Sequence, residues 1–183
     1  MNKKTKFINK RLTFYNKFLR FIWRLVWFFL CKYSPRTFHS LRINILRLFG
    51  AKIGNNVHVY PSSRIWAPWN LEMGNSSCLA DNVDCYCVEK IKIGANTTIS
   101  QYTFLCTASH DYRYSSMPLI TLPIIIGDNV WIAADVFVAP GVKISSGVVV
   151  TARSNLVSDA PPFSIFSGNP AIFVKKREFI NDK

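Results

Sequence analysis

A four-residue phrase recurs along this chain and loses its spacing once. It reads Ile53-Gly54-Asn55-Asn56, Met73-Gly74-Asn75-Ser76, Ile93-Gly94-Ala95-Asn96 and Ile126-Gly127-Asp128-Asn129. The first three copies are 20 residues apart, and the fourth follows after 33. Inside each unit runs a six-residue beat of aliphatic side chains. After the interruption it comprises Ile126, Ile132, Val138, Ile144, Val150 and Leu156. Before it, the beat passes through Ile53, Val59 and Ile65, then Met73, Leu79 and Cys85, then Ile93, Ile99 and Leu105. A period of six matches neither an amphipathic helix nor a half-buried strand. It is the signature of a parallel β-helix, in which each hexad supplies a short strand and a corner. No coil buries its apolar positions alone, so the coils must stack. The pattern predicts about five coils between Ile53 and Leu156. Gly and Asn at the corners suit left-handed backbone conformations.

Charge divides the chain unevenly. Residues 1–50 carry 12 Lys or Arg and no Asp or Glu, while residues 51–183 carry 11 cations and 10 acids. The net +13 therefore belongs to an N-terminal extension, and the β-helix is nearly neutral. The extension interleaves aromatics with Arg and Lys, as in Phe18-Leu19-Arg20-Phe21-Ile22-Trp23-Arg24. Its longest uncharged run here is Leu25–Cys31, too short to span a bilayer. No small-residue cleavage site of a signal peptide follows. Ser34-Pro35 is expected to end one helix, with a second over Thr37–Phe49. Two uses are consistent with this composition: a cap whose apolar face covers the first coil, and a contact with an anionic membrane surface. No recognised nucleic-acid module is present, and no nucleic-acid partner is expected. The five cysteines, an odd number, point to small apolar positions in a reducing compartment rather than to a disulfide framework. Cys85-Tyr86-Cys87 lacks zinc-site spacing, so no metal is expected. The domain reading is an extension over 1–50, a β-helix over 51–160 with a loop at 111–125, and a tail over 161–183.

Several stretches together resemble the hexapeptide-repeat acyltransferases, and among them the sugar O-acetyltransferases of exopolysaccharide synthesis of the colanic-acid type. They are Thr107-Ala108-Ser109-His110-Asp111, Ile126 to Ala134, Ala139-Pro140-Gly141-Val142 and Ser167-Gly168-Asn169-Pro170-Ala171. The resemblance covers roughly residues 25–177. It implies an all-β, left-handed parallel β-helix, a homotrimer with active sites between subunits, acetyl-CoA as co-substrate and a saccharide acceptor. The setting expected is the bacterial cytoplasm, and the composition of residues 1–50 allows peripheral contact with the inner face of the membrane.

His110 stands where the extra residues leave the coil. A neutral imidazole takes a hydroxyl proton near neutral pH, and the resemblance aligns His110 with the family's catalytic base. Asp111 either orients His110 or begins a turn. Asn82 and Asp84, on the preceding coil, are candidates for the acceptor, as are Tyr112 and Arg113 in the loop. For the cofactor the resemblance points to Trp131, Ala133, Ala134, Ala152 and Lys175. Arg153 replaces a glycine common in relatives, and either binds a phosphate of coenzyme A or obstructs its groove. Two alternatives remain at this level: N-acetylation of an amino sugar or small metabolite, and a non-catalytic membrane-associated scaffold with a decayed groove.

Overall fold

The computed structural model describes residues 6–7 and 13–178. Residues 1–5 and 8–12 of the expected extension, and 179–183 of the expected tail, lie outside the described residues. The chain winds a parallel β-solenoid with three faces. The first stacks the strands Lys52–Ile53, Leu71–Met73, Ile91–Ile93, Ile124–Ile126 and Lys143–Ile144. The second stacks His58–Val59, Cys78–Leu79, Thr98–Ile99, Trp131–Ile132, Val149–Val150 and Ser164–Gly168, with Ala171–Lys176 folded back antiparallel on the last. The third stacks Arg64–Ile65, Asp84–Tyr86, Phe104–Cys106, Phe137–Val138 and Asn155–Leu156. Five coils are complete and Ser164–Gly168 opens a sixth turn, one more than the repeat alone indicates. The expected tail thus supplies the last rung of the second face.

The aliphatic beat is the core. Ile53, Met73, Ile93, Ile126 and Ile144 stack in one column, and Val59, Leu79, Ile99, Ile132 and Val150 in the next, all buried. Ile93 pairs with Ile126 in register although 33 residues separate them, so the insertion bulges out without shifting the repeat.

The recurring phrase has a division of labour. Its Gly N–H donates to the aliphatic carbonyl one coil on: Gly54 to Met73, Gly74 to Ile93, Gly94 to Ile126 and Gly127 to Ile144, at 2.8–2.9 Å. The coils approach so closely here that a Cβ on Gly74 would lie 2.6 Å from the Ala95 nitrogen. The left-handed corner conformation belongs two residues later, to Asn56, Ser76, Asn96 and Asn129, with φ of 53–56°. Glycine serves close approach, and Asn or Ser serves the turn.

Helix α1 (Phe14–Val26) continues into a π-helical turn at Trp27–Cys31, and α2 (His39–Leu48) lies beneath the first coil. Each inward aliphatic turns its carbonyl toward the coil before it, and the first coil has none before it. The extension supplies the missing donors. Arg47 Nη2 reaches the Ile53 carbonyl at 2.9 Å, Arg42 Nε the Val59 carbonyl at 2.6 Å, and Trp23 Nε1 the Ile65 carbonyl at 2.7 Å. Arg42 is fully buried and also donates to Ser34, Pro35 and Arg36. Ile43 and Leu46 of α2 close the core below. The expected cap is present: Trp23 of α1 packs into the core together with Ile43 and Leu46, with Trp27 and Phe49 against them, while the phenylalanine stripe of α1 faces outward.

Gly74→Ala should destabilise the protein by about 2 kcal/mol through overpacking against backbone. Asn96→Gly, at a left-handed corner, should change stability by less than about 1 kcal/mol. Thermal unfolding at fixed protein concentration compares the two. Arg42→Met strands several buried carbonyls and should cost about 3 kcal/mol or more, measured by urea unfolding. Arg42→Lys should recover only part, since an ammonium lacks the guanidinium fork.

Candidate active site

After the third-face strand Phe104–Cys106 the chain leaves the solenoid as a hairpin. Strand Ala108–His110 pairs antiparallel with Leu119–Thr121, and Lys6–Phe7 adds a third strand to its outer edge. The excursion therefore begins before His110, and Ile124 and Ile125 already belong to the first face, rather than to a loop over 111–125. His110 is exposed at the end of its strand, and its Nδ1 lies 2.6 Å from the carbonyl oxygen of Met117. A carbonyl only accepts, so Nδ1 carries the proton. Nε2 is left with its lone pair free to receive one. Met117 itself is in the left-handed region, with φ 42°, as the turn presents this carbonyl to the ring.

Asp111 has a different task from orienting the imidazole. It is buried, and both its oxygens accept from the Arg113 guanidinium, at 2.8 Å from Nε and 2.6 Å from Nη2. The Arg113 backbone N–H adds a third bond at 3.2 Å. These donors hold the Asp111 carboxyl below the usual carboxylate range, and the Asp111 carboxylate in turn pushes the Arg113 guanidinium up. Arg113 is thereby committed to bracing the turn, while Tyr112 projects into solvent.

The remaining candidates fall in two other places. On the second face Trp131 is half exposed and donates from Nε1 to Ser100 Oγ at 3.0 Å. Its outward row continues through Val149 and Ile165 to Lys175, about 14 Å away at three strand spacings. Ala133 and Ala134 form the next corner, with Ala152 and Arg153 one coil on, where Arg153 N donates to the Ala134 carbonyl at 2.9 Å. Arg153 adopts the left-handed conformation itself, with φ 58°, and its exposed side chain reaches out to Asp135 at 3.6 Å. A non-glycine residue takes this conformation at a modest backbone cost. On the third face Asp84 pairs with Arg64 at 3.2 Å. It lines a cavity of about 180 Å³ with Trp27, Phe28, Lys32 and Trp66, beneath α1. Burial pushes the Asp84 carboxyl up, and Arg64 partly offsets this. Asn82 occupies a left-handed corner at φ 57°, its N–H on Ser62 Oγ.

No protein-family model matches the chain. Among curated proteins it is 42% identical over 156 residues to the Escherichia coli (strain K12) protein assigned as colanic acid biosynthesis acetyltransferase WcaF, covering 85% of this chain and 86% of that one. A maltose O-acetyltransferase structure from Clostridium difficile 630 superposes with TM-score 0.82 at 28% identity, covering 96% of this chain and 94% of that one. A hexapeptide-repeat acetyltransferase from Vibrio cholerae, solved with acetyl coenzyme A, superposes with TM-score 0.80 at 24% identity over 91% of each chain. The chain belongs to the hexapeptide-repeat acetyltransferases. It is an acyltransferase on the left-handed β-helix of that family.

In this acetyltransferase a single chain does not gather the expected machinery. His110 follows the third-face strands, whereas Ala133, Ala134, Ala152 and Arg153 precede them, so the width of that face lies between. One contributor escaped the sequence reading. Met117 acts through its backbone carbonyl, which no side-chain pattern announces. Arg177 lines a groove beside Trp131 and donates to the carbonyls of Asn129 and Gly147. It lies just past the strand Ala171–Lys176, at the end of the basic run Lys175-Lys176-Arg177.

Asp111→Asn should loosen the turn at 112–118, seen as faster proteolysis there at neutral pH. In the wild type the folded pKa is depressed, so the pair acts in full above about pH 4. Its contribution is lost as pH falls through the lower folded value. The protection factors of the turn amides, exchange rates corrected for the intrinsic pH dependence, should therefore fall only in acid.

Proposed function

We propose that the protein is an acetyl-CoA-dependent O-acetyltransferase whose acceptor is a saccharide of surface-polysaccharide synthesis, lipid-linked or nucleotide-linked. The observation that carries the reading is the 2.6 Å contact of His110 Nδ1 with the Met117 carbonyl, which in the neutral ring selects the Nδ1–H tautomer and leaves Nε2 as the acceptor. Nε2 takes the proton of an acceptor hydroxyl as its oxygen attacks the thioester carbonyl. The carbon–sulfur bond then breaks, and the imidazolium returns the proton to the departing thiolate of coenzyme A. Holding the two substrates together contributes much of the acceleration, and backbone N–H groups are suited to the developing oxyanion. No metal is required by this chemistry. The saccharide acceptor agrees with the names of the E. coli and C. difficile relatives, and the donor with the ligand of the V. cholerae structure. Asp84 and the Trp27–Trp66 cavity offer a carboxylate and aromatic faces suited to a sugar.

The protein acts as a homotrimer, in which His110 of one copy serves a donor bound along Trp131, Ala134 and Ala152 of its neighbour. The separation of these residues within one chain supports this, as does a half-buried aromatic ladder on the third face. Its members are Trp66, Tyr86, Phe104 and Phe137, with centroids 5.5–6.1 Å apart. Arg153 points outward to Asp135, which speaks against a blocked groove.

His110→Ala should lower kcat by about 10²- to 10⁴-fold and leave acetyl-CoA binding by calorimetry within about twofold. Ala152→Trp should abolish that binding. When the two inactive variants are co-expressed, mixed trimers should regain about a quarter of wild-type activity, because a quarter of the interfaces combine the intact halves. No recovery would place the whole site within one chain. Mass spectra of products from hydroxyl and amino acceptors test O- against N-transfer.

A further inference from the structure

Helix α1 presents two opposite faces. Arg20, Trp23 and Trp27 recur at helical spacing toward the solenoid: Trp23 is buried, Trp27 packs against the core, and the Arg20 guanidinium, also bonded to Asn16, sits 4.0 Å over the Trp66 ring. The other face carries Phe14, Phe18, Phe21 and Leu25, exposed by 85, 53, 57 and 41%. The π-helical turn prolongs this stripe with Phe29 and Leu30, and Tyr33 follows, all exposed, while Phe28 sits at its edge, half exposed, and also lines the cavity beneath α1. A run of large apolar side chains of this kind marks an interaction surface. The helix is held rigidly by its other face, so the stripe is displayed rather than left to fold back.

Charge selects the occupant. Residues 1–50 contain 12 cations and no acid. Arg42, Arg47 and Trp23 are consumed as donors to the first coil, and Arg36 pairs with Asp81 at 2.8 Å. Lys17 and Arg24 flank the stripe two turns apart, and the Lys32 ammonium lies 5.4 Å from the centre of the Phe28 ring. A second copy pairing the same face would bring cations against cations, since residues 1–50 have no acid to oppose them. Among the described residues no helix is long and apolar enough to cross a membrane. Aromatics along one side with Lys and Arg at its border match the interfacial layer of a bilayer whose headgroups are anionic.

We propose that α1 and the turn after it form a membrane-docking face, which lies in the plane of an anionic lipid surface with Phe14, Phe18 and Phe21 inserted. The inference is independent of the transfer reaction and is tested by binding alone. The full-length protein should float with vesicles containing phosphatidylglycerol and stay unbound with vesicles of phosphatidylcholine only. Raising NaCl from about 0.1 M to about 1 M, which shortens the screening length from about 10 Å to about 3 Å, should weaken flotation at least about tenfold. The triple variant Phe14→Ser, Phe18→Ser, Phe21→Ser should lose at least about tenfold in partitioning, with its mass by light scattering unchanged. Equal flotation of variant and wild type, or equal binding to both vesicle types, overturns the proposal. A smaller assembly in the triple variant overturns it as well, by assigning the face to contacts between copies. So does binding of a labelled oligonucleotide that the variant loses while its flotation persists.

Discussion

Each inward aliphatic of this solenoid points its carbonyl at the coil before it, and there it accepts the N–H of the residue after the equivalent aliphatic. This repeated bond fixes the spacing of the coils and so demands a glycine where they come closest. It also leaves a defined deficit at the start: three carbonyls, of Ile53, Val59 and Ile65, with no coil to serve them. Buried carbonyls without donors cost about 1–3 kcal/mol each, so a parallel β-helix of this kind needs a cap that donates. Arginine and tryptophan carry N–H groups and no acceptor. Arg47, Arg42 and Trp23 each meet one of the three carbonyls, and His39 Nδ1 also lies 3.1 Å from that of Val59. Part of the extension's basicity is therefore backbone chemistry and not attraction to any partner.

That distinction separates the cations of the extension into two sets. Those of α2 face the solenoid and are used up by it. Those bordering the outer face of α1 remain beside exposed aromatics. The same segment can hence close the barrel with one side and offer a sticky, positive surface with the other, because a helix divides its residues by angle and not by order.

The excursion at 108–121 follows from the stack as well. Because Ile93 and Ile126 pair as if nothing intervened, the extra residues are free of the repeat and can form a hairpin with its own rules. The hairpin sets the imidazole by a main-chain carbonyl and locks its own turn by a fork between the buried Asp111 carboxylate and the exposed Arg113 guanidinium. A fixed tautomer at an exposed ring is what a general base needs. The groove proposed for the donor is built on another corner by small side chains and a tryptophan, and the width of a face keeps the two apart.

The sequence by itself determined the solenoid, its three columns of aliphatics, the place of the interruption and the prominence of His110. All of these are periodic or local, and periodicity survives without coordinates. It left glycine and asparagine with the same conformational role, and only the contact between Gly74 and Ala95 separates close approach from left-handed turning. It read Asp111 as a partner for His110 or as a turn, and the fold chose the turn because Arg113 takes both oxygens. Met117 was invisible because its contribution is a carbonyl common to every residue. Which side of α1 meets the solenoid was likewise decided only in three dimensions: Trp23 both donates to the Ile65 carbonyl and packs with Trp27 on the core, which leaves the phenylalanine stripe outward.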